Sequence, residues 1–277
     1  ATAIMNLGMT PCSTVSNGTY TNGDWVVEGK GGSLTLRDAL AHSKNPFAVR
    51  LIESVSPKKV IQLARDLGVT EEMPNEYAIA LGSTDITIYE MLGAYSSFAN
   101  FGNYIKPEMV WRIEDANGRV IKEVKNETKE VMNEMYAYTM IDLMKGVTRF
   151  GTASGELRRM GIPETVEIAG KTGTTQNNSD GWFMGITPNL ATGVWVGWED
   201  RATHFWSTGE GQGAKMALPI WGIFMKKVWA DKELGITPDD KFAKPSNWTG
   251  DCADLQGLGG YGDDGELQTI DQIKNPN

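Results

Sequence analysis

The segment Gly170-Lys171-Thr172-Gly173-Thr174-Thr175 gathers a cation, three hydroxyls and two residues without side chains into six positions. Two chemistries use such a set. A phosphate-binding loop needs a glycine five positions ahead of Gly170 and a helix directly behind. Position 165 is Thr165, however, and Gln176-Asn177-Asn178-Ser179-Asp180-Gly181 reads as a turn into another strand. The alternative is an edge strand along a cleft. Lys171 then offers positive charge to a carboxylate, the threonine hydroxyls add hydrogen bonds, and Gly173 lets a peptide backbone or flat ring approach closely. An extended peptide can add beside such a strand, and the backbone N–H of Thr174 is placed to meet a developing oxyanion.

Ser43-Lys44-Asn45 is the second group. In a tight break between helices, Ser43 and Asn45 project in one direction and form a polar wall facing Lys171. Serine relays a proton, and asparagine offers both a donor and an acceptor. Asn45 is also expected to cap the helix behind it, with Pro46 in its first turn. Other chemistries find little support. The only two histidines, His42 and His204, are isolated, and Cys12 and Cys252 lie near opposite ends. A zinc site, a disulfide framework and a histidine-assisted nucleophile are all disfavoured. One long-range disulfide and two unpaired thiols both stay open.

The elements that must position these groups follow from periodicity and end signals. Residues 1–32 begin with a helical turn and then read as a long irregular surface segment. Helices are expected over Leu34–Ser43 (capped by Ser33 or Thr35), from Asn45, from Ser56 to Gly68, from the capping box Thr87-x-x-Glu90 to Gly102, and over Glu134–Arg149. Asn117-Gly118 marks a hairpin within 109–124. Strands over Val166–Lys171, Gly181–Ile186 and Ala191–Trp198, joined by short connections, give an antiparallel meander, and Ala214–Trp229 closes the domain as an amphipathic helix. The class is therefore α/β of the α+β type.

With 277 residues, 40% of them apolar, the chain has material for a sizeable core. A net charge of −9 disfavours nucleic acid and anionic bilayers as partners. No run approaches the length of a membrane span. Over 251–277 six acidic residues stand against one lysine, so 239–277 reads as an acidic, glycine-rich, flexible tail behind a domain at 1–238.

Ser43-x-Asn45 followed by Lys171-Thr172-Gly173-Thr174-Thr175 resembles the second and third signatures of the penicillin-binding proteins. The flanking text, including Leu34 to Leu40, Tyr95 to Gly102, Gly151-Thr152-Ala153, Asp180 to Gly185, Val194 to Gly197 and Pro219-Ile220-Trp221, is similar to the transpeptidase domain of the class A enzymes over roughly 1–230. The resemblance implies a serine β-lactamase/transpeptidase-like fold, with an antiparallel sheet packed between helices and an all-helical subdomain. It also implies a serine D-Ala-D-Ala transpeptidase of peptidoglycan synthesis on the outer face of the cytoplasmic membrane. Its expected partners are stem peptides ending in D-Ala-D-Ala and β-lactam antibiotics, and it needs no cofactor or metal. Ser43 becomes the proton relay and Asn45 the substrate amide contact. Lys171, Thr172 and Thr174 form the carboxylate site, with Gly173 and Thr175 beside them.

The family's first signature, Ser-x-x-Lys, should precede Ser43, yet residues 1–42 contain none. The one match in the chain, Ser56-Pro57-Lys58-Lys59, reads as a helix cap. The expectation is therefore a C-terminal portion, inactive alone, whose nucleophile, N-terminal strands, any glycosyltransferase domain and membrane anchor lie ahead of Ala1. A non-catalytic module that senses peptides or β-lactams is the competing reading, and a β-lactamase is a third.

Overall fold

The computed structural model describes residues 1–248 and Gly250. In chain order the elements are α1 (Thr2–Leu7), β1 (Thr14–Ser16), β2 (Tyr20–Asn22), β3 (Trp25–Val27), β4 (Ser33–Thr35), α2 (Leu36–Ala41), α3 (Asn45–Val55), α4 (Pro57–Asp66) and α5 (Ile88–Ala99). There follow β5 (Asn103–Ile105), β6 (Arg112–Glu114), β7 (Val120–Glu123), β8 (Thr128–Glu130), α6 (Glu134–Arg149), α7 (Ser154–Arg159), β9 (Ala169–Thr174), β10 (Gly181–Thr187), β11 (Leu190–Val196), α8 (Thr208–Gly211) and α9 (Gly213–Ala230).

The sheet that matters is β11-β10-β9, antiparallel throughout, with Gly181 opposite both Thr174 and Val196. Its central strand is buried on both faces, as a strand between two helical layers must be. On one face Phe183 meets Trp221 of α9 edge to face at 5.1 Å, inside a cluster with Ile168, Leu218 and Met225. On the other, Ala169 and Ile186 pack with Phe98 of α5 and Ile141 and Met144 of α6. Burying a large side chain fully contributes about 1.5–3 kcal/mol, so these two layers fix the sheet rigidly between α9 and the α5–α6 pair. A third cluster joins α1, α2, α3 and α6 through Ile4, Leu36, Phe47 and Leu143.

Several boundaries match the end signals. Thr87 and Glu90 cap each other reciprocally at the start of α5, α6 runs over the residues expected, and Thr35 is the cap of α2, accepting from the Asp38 N–H. The Asn117-Gly118 hairpin forms between β6 and β7.

Other expectations are corrected. Asn45 is the first residue of α3 rather than its cap; Lys44 holds the cap position, and no side chain bonds there. Ser56 precedes α4 at a positive φ of 76°, and its hydroxyl caps nothing. Residues 1–32 are not simply irregular surface: β1 pairs with β4, β2 with β3, and Val15, Tyr20 and Val27 are buried. The strand expected over Val166–Lys171 lies three residues later, because its register is set by pairing with β10, while Val166 and Ile168 enter the core from the preceding loop.

The first part of the expected tail is packed. Phe242 and Trp248 are buried, the Phe242 N–H donates to Glu167 at 2.9 Å, and the Trp248 indole donates to Thr139 at 3.0 Å. The domain boundary placed at 238 therefore falls inside packed chain, and 251–277 lies outside the described residues. Cys12 is buried and disulfide-bonded, so unpaired thiols are excluded for it; Cys252 lies outside the described residues.

Candidate active site

α2 ends in a tight hydrogen-bonded turn. The Ser43 N–H donates to Leu40 O at 3.1 Å and the Lys44 N–H to Ala39 O at 3.0 Å, the paired bonds of a Schellman stop, in which the residue after the cap is left-handed. Glycine is usual there. This chain has Ser43, at φ 51°. The turn leaves the Ser43 hydroxyl exposed at the end of α2, where it accepts a hydrogen bond from Lys171 Nζ at 2.9 Å. Groups 128 positions apart in sequence thus meet directly.

Lys171 stands on β9, which pairs only with β10 among the described residues. The Thr175 N–H donates to Asp180 O at 3.2 Å, on the β10 side. In an antiparallel ladder the direction alternates, so Thr174 and Thr172 turn their N–H and C=O toward the free edge. In agreement, the Thr172 carbonyl accepts from Lys171 Nζ at 2.7 Å. The ammonium is thereby bent along the strand edge between Ser43 and Thr172. Burial lowers its pKa from the usual lysine range to about 8, because desolvation disfavours the charged form. At neutral pH it remains mostly a cation, close to the point of switching.

The hydroxyls of the strand are individually placed. Thr174 Oγ1 accepts from the Gly213 N–H, at the start of α9, at 3.0 Å. This approach requires glycine, since a Cβ on Gly213 would stand 2.3 Å from Gly173 O and 2.4 Å from Trp182 O. Thr172 Oγ1 shares a hydrogen bond with Thr152 Oγ1 at 2.7 Å. Thr175 is occupied elsewhere: its hydroxyl oxygen accepts from the backbone N–H groups of Ser179 and Asp180, stapling the β9–β10 loop. Asp180 anchors the same loop, accepting from the Trp195 indole at 3.0 Å and the Ser179 hydroxyl at 2.7 Å.

Ser43, Lys171, Thr172, Gly173 and Thr174 are therefore brought together. Asn45 is exposed at the start of α3, two residues after Ser43 and outside this hydrogen-bonded set. Thr152 and Asp180 fall in the flanking text of the family resemblance, which gives them no site role, and Gly213 falls in none of its motifs; nothing local says that Gly151-Thr152-Ala153 touches β9. His42 lies beside Phe150, and His204 is exposed against Trp206, neither within the set. No group of His, Cys, Asp and Glu suited to a metal ion occurs among the described residues. A cavity of about 170 Å³ lined by Phe98, Tyr138, Ile141, Lys241 and Phe242 includes none of Ser43, Lys171, Thr172, Gly173 and Thr174.

The site thus consists of an edge-strand lysine reaching a serine at a helix break, beside a sheet held between helical layers. Residues 9–203 match the Penicillin binding protein transpeptidase domain, and the chain belongs to that family. Penicillin-binding protein 1A of Aquifex aeolicus (strain VF5) is 35% identical over 225 residues, covering 78% of this chain and 30% of the relative. The crystal structure of penicillin-binding protein 1A from Haemophilus influenzae has a TM-score of 0.73 at 24% identity, covering 88% of this chain and 42% of that one. PonA1 from Mycobacterium tuberculosis in complex with penicillin V gives 0.72 at 23%, covering 90% and 70%. The chain spans 30% or less of the length of the curated relatives. No helix among the described residues is long and apolar enough to cross a membrane.

Proposed function

We propose that these residues form the carboxylate-binding and proton-relay side of a serine acyl-transfer site that cross-links peptidoglycan stem peptides ending in D-Ala-D-Ala and is blocked by β-lactams. The observation that carries this reading is the 2.9 Å hydrogen bond from Lys171 to Ser43 at the free edge of β9. The Lys171 cation and the Thr172 and Thr174 hydroxyls attract the terminal carboxylate of the peptide, or the carboxylate of a β-lactam. Gly173 admits the peptide backbone beside the strand, and the Thr174 N–H supplies one oxyanion donor. Asn45, on the opposite wall, contacts the substrate amide.

In the reaction a serine oxygen attacks the carbonyl of the penultimate D-Ala. The C–N bond breaks, and the departing D-Ala nitrogen takes a proton relayed through Ser43, whose own proton is replaced from the general base that deprotonated the attacking serine. An acceptor amine then attacks the ester carbonyl, the acyl–oxygen bond breaks, and the amine's proton passes through the general base to the serine oxygen. The work of such an enzyme lies at the outer face of the cytoplasmic membrane, where stem peptides are.

The attacking serine belongs to a Ser-x-x-Lys sequence, and Ser56–Lys59, the one such match here, lies at the α3–α4 junction. These 277 residues alone therefore form no acyl adduct. Intact mass after incubation with a fluorescent penicillin tests this: an unchanged mass is expected, and a stoichiometric adduct on Ser43 or Ser56 overturns the assignment of roles. The same observation keeps a non-catalytic binding role as the second reading. A chimera with a relative's Ser-x-x-Lys segment joined ahead of Ala1 separates them, since only the transpeptidase reading expects that chain to acylate.

A further inference from the structure

The loop between α6 and α7 contacts both the end of α2 and β9 through one residue. The Thr152 N–H donates to Ala41 O at 3.0 Å, two positions ahead of Ser43, and the Thr152 hydroxyl lies 2.7 Å from that of Thr172. The loop has no slack against α2, since a Cβ on Gly151 would stand 2.2 Å from Ala41 O. Thr152 thus spans from the turn that carries Ser43 to the strand that carries Lys171.

Donor counting gives this contact a direction. A threonine hydroxyl has one hydrogen and two lone pairs. Thr174 Oγ1 accepts from the Gly213 N–H, so its own hydrogen is left to give away. Thr172 has two choices with Thr152. If it donates to Thr152, it presents only lone pairs to the cleft, which repel a carboxylate. If it accepts, its hydrogen points outward, as that of Thr174 does. A carboxylate is acceptor-only, so its arrival selects the second arrangement.

We propose that Thr152 is a positioning residue for carboxylate recognition: its hydroxyl donates to Thr172 Oγ1 and so presets the Thr172 proton for the incoming carboxylate, while its N–H holds the Ser43 turn in register with the strand. This rests on the carboxylate-site reading above. The ligand class is a peptide C-terminus or a carboxylate-bearing β-lactam. Thr152 itself touches neither.

The test is titration of the 277-residue chain with benzylpenicillin, followed by NMR at the backbone amides of Thr172 to Thr174, with melting temperatures recorded in parallel. Thr152→Val keeps the shape and the backbone bond to Ala41 but removes the hydroxyl. It should weaken binding roughly threefold to tenfold, the worth of one net hydrogen bond, and Thr152→Ser should return it to within twofold of the parent. Should the valine variant not fold, Thr152→Ala carries the same expectation. Unchanged affinity in Thr152→Val or Thr152→Ala, or failure of Thr152→Ser to restore it, overturns the proposal, because a merely structural threonine would move melting and not the acid's affinity. The carboxylate-site reading fails separately: in that case the parent chain itself shows no saturable binding that Lys171→Ala weakens.

Discussion

Ser43 is held where glycine belongs, and replacing it separates what the fold prefers from what the site needs. Its φ of 51° closes the stop of α2, and an L-residue in the left-handed region costs roughly 1–2 kcal/mol. Ser43→Gly relieves that strain, offset by about 0.5–1 kcal/mol of extra backbone entropy in the unfolded chain. Ser43→Ala keeps the strain. Both remove the hydroxyl that accepts from Lys171, so that loss cancels between them. The glycine variant should therefore be more stable than the alanine variant by up to about 1 kcal/mol. For a domain of this size that is about 2–4 °C in melting temperature. Calorimetry on the two variants side by side reads the difference. If alanine melts at or above glycine, no strain is stored at position 43, and the view that this turn sacrifices stability for a hydroxyl is wrong.

Lys171→Ala should weaken benzylpenicillin binding by roughly 10–100-fold, the worth of one charge-assisted contact, measured by the same titration. The lowered Lys171 pKa of about 8 has two consequences of opposite sign. Between about 8 and the usual lysine value the unfolded chain holds more protons, so stability gains from this group as pH rises through that window, and Lys171→Met should flatten that part of a melting-against-pH curve. Carboxylate affinity needs the cation and should fall as pH passes 8. Gly213→Ala puts a Cβ 2.3 Å from a backbone oxygen that cannot swing away; a loss of about 1–3 kcal/mol is expected in chemical denaturation. Trp221→Ala empties the centre of the α9 face, where Trp221 is fully buried. It should cost about 3–5 kcal/mol, much of a typical 5–15 kcal/mol stability, read as a large drop in denaturation midpoint.

What could be read ahead of the structure was what local chemistry determines. The capping box of α5, the full extent of α6 and the turn between β10 and β11 are specified by residues three or four apart. The motif pair placed Ser43 and Lys171 at one site through family likeness, since nothing local links positions so far apart. The misses share the opposite property. β9 was placed early because Val166 and Ile168 satisfy a strand pattern while serving the core from a loop. The short strands before α2 were hidden by the glycine and asparagine turns between them. The left-handed Ser43 carries no signal because the sequence lacks the glycine that marks such stops. Thr152 and Gly213 matter through contacts with β9 that depend on the packed arrangement of α6, α7 and α9.

Benzylpenicillin compared with its methyl ester decides whether the Ser43–Lys171 edge of β9 is a carboxylate site. Both are titrated into the 277-residue chain while the Lys171 side chain and the amides of Thr172, Gly173 and Thr174 are followed by NMR. Saturable shifts at these positions are expected for the acid, with an affinity for the ester lower by about tenfold or more and an affinity of Lys171→Ala for the acid lower by roughly 10–100-fold. Equal binding of acid and ester, or shifts confined to the cavity around Phe98, Tyr138 and Phe242, would contradict the carboxylate assignment.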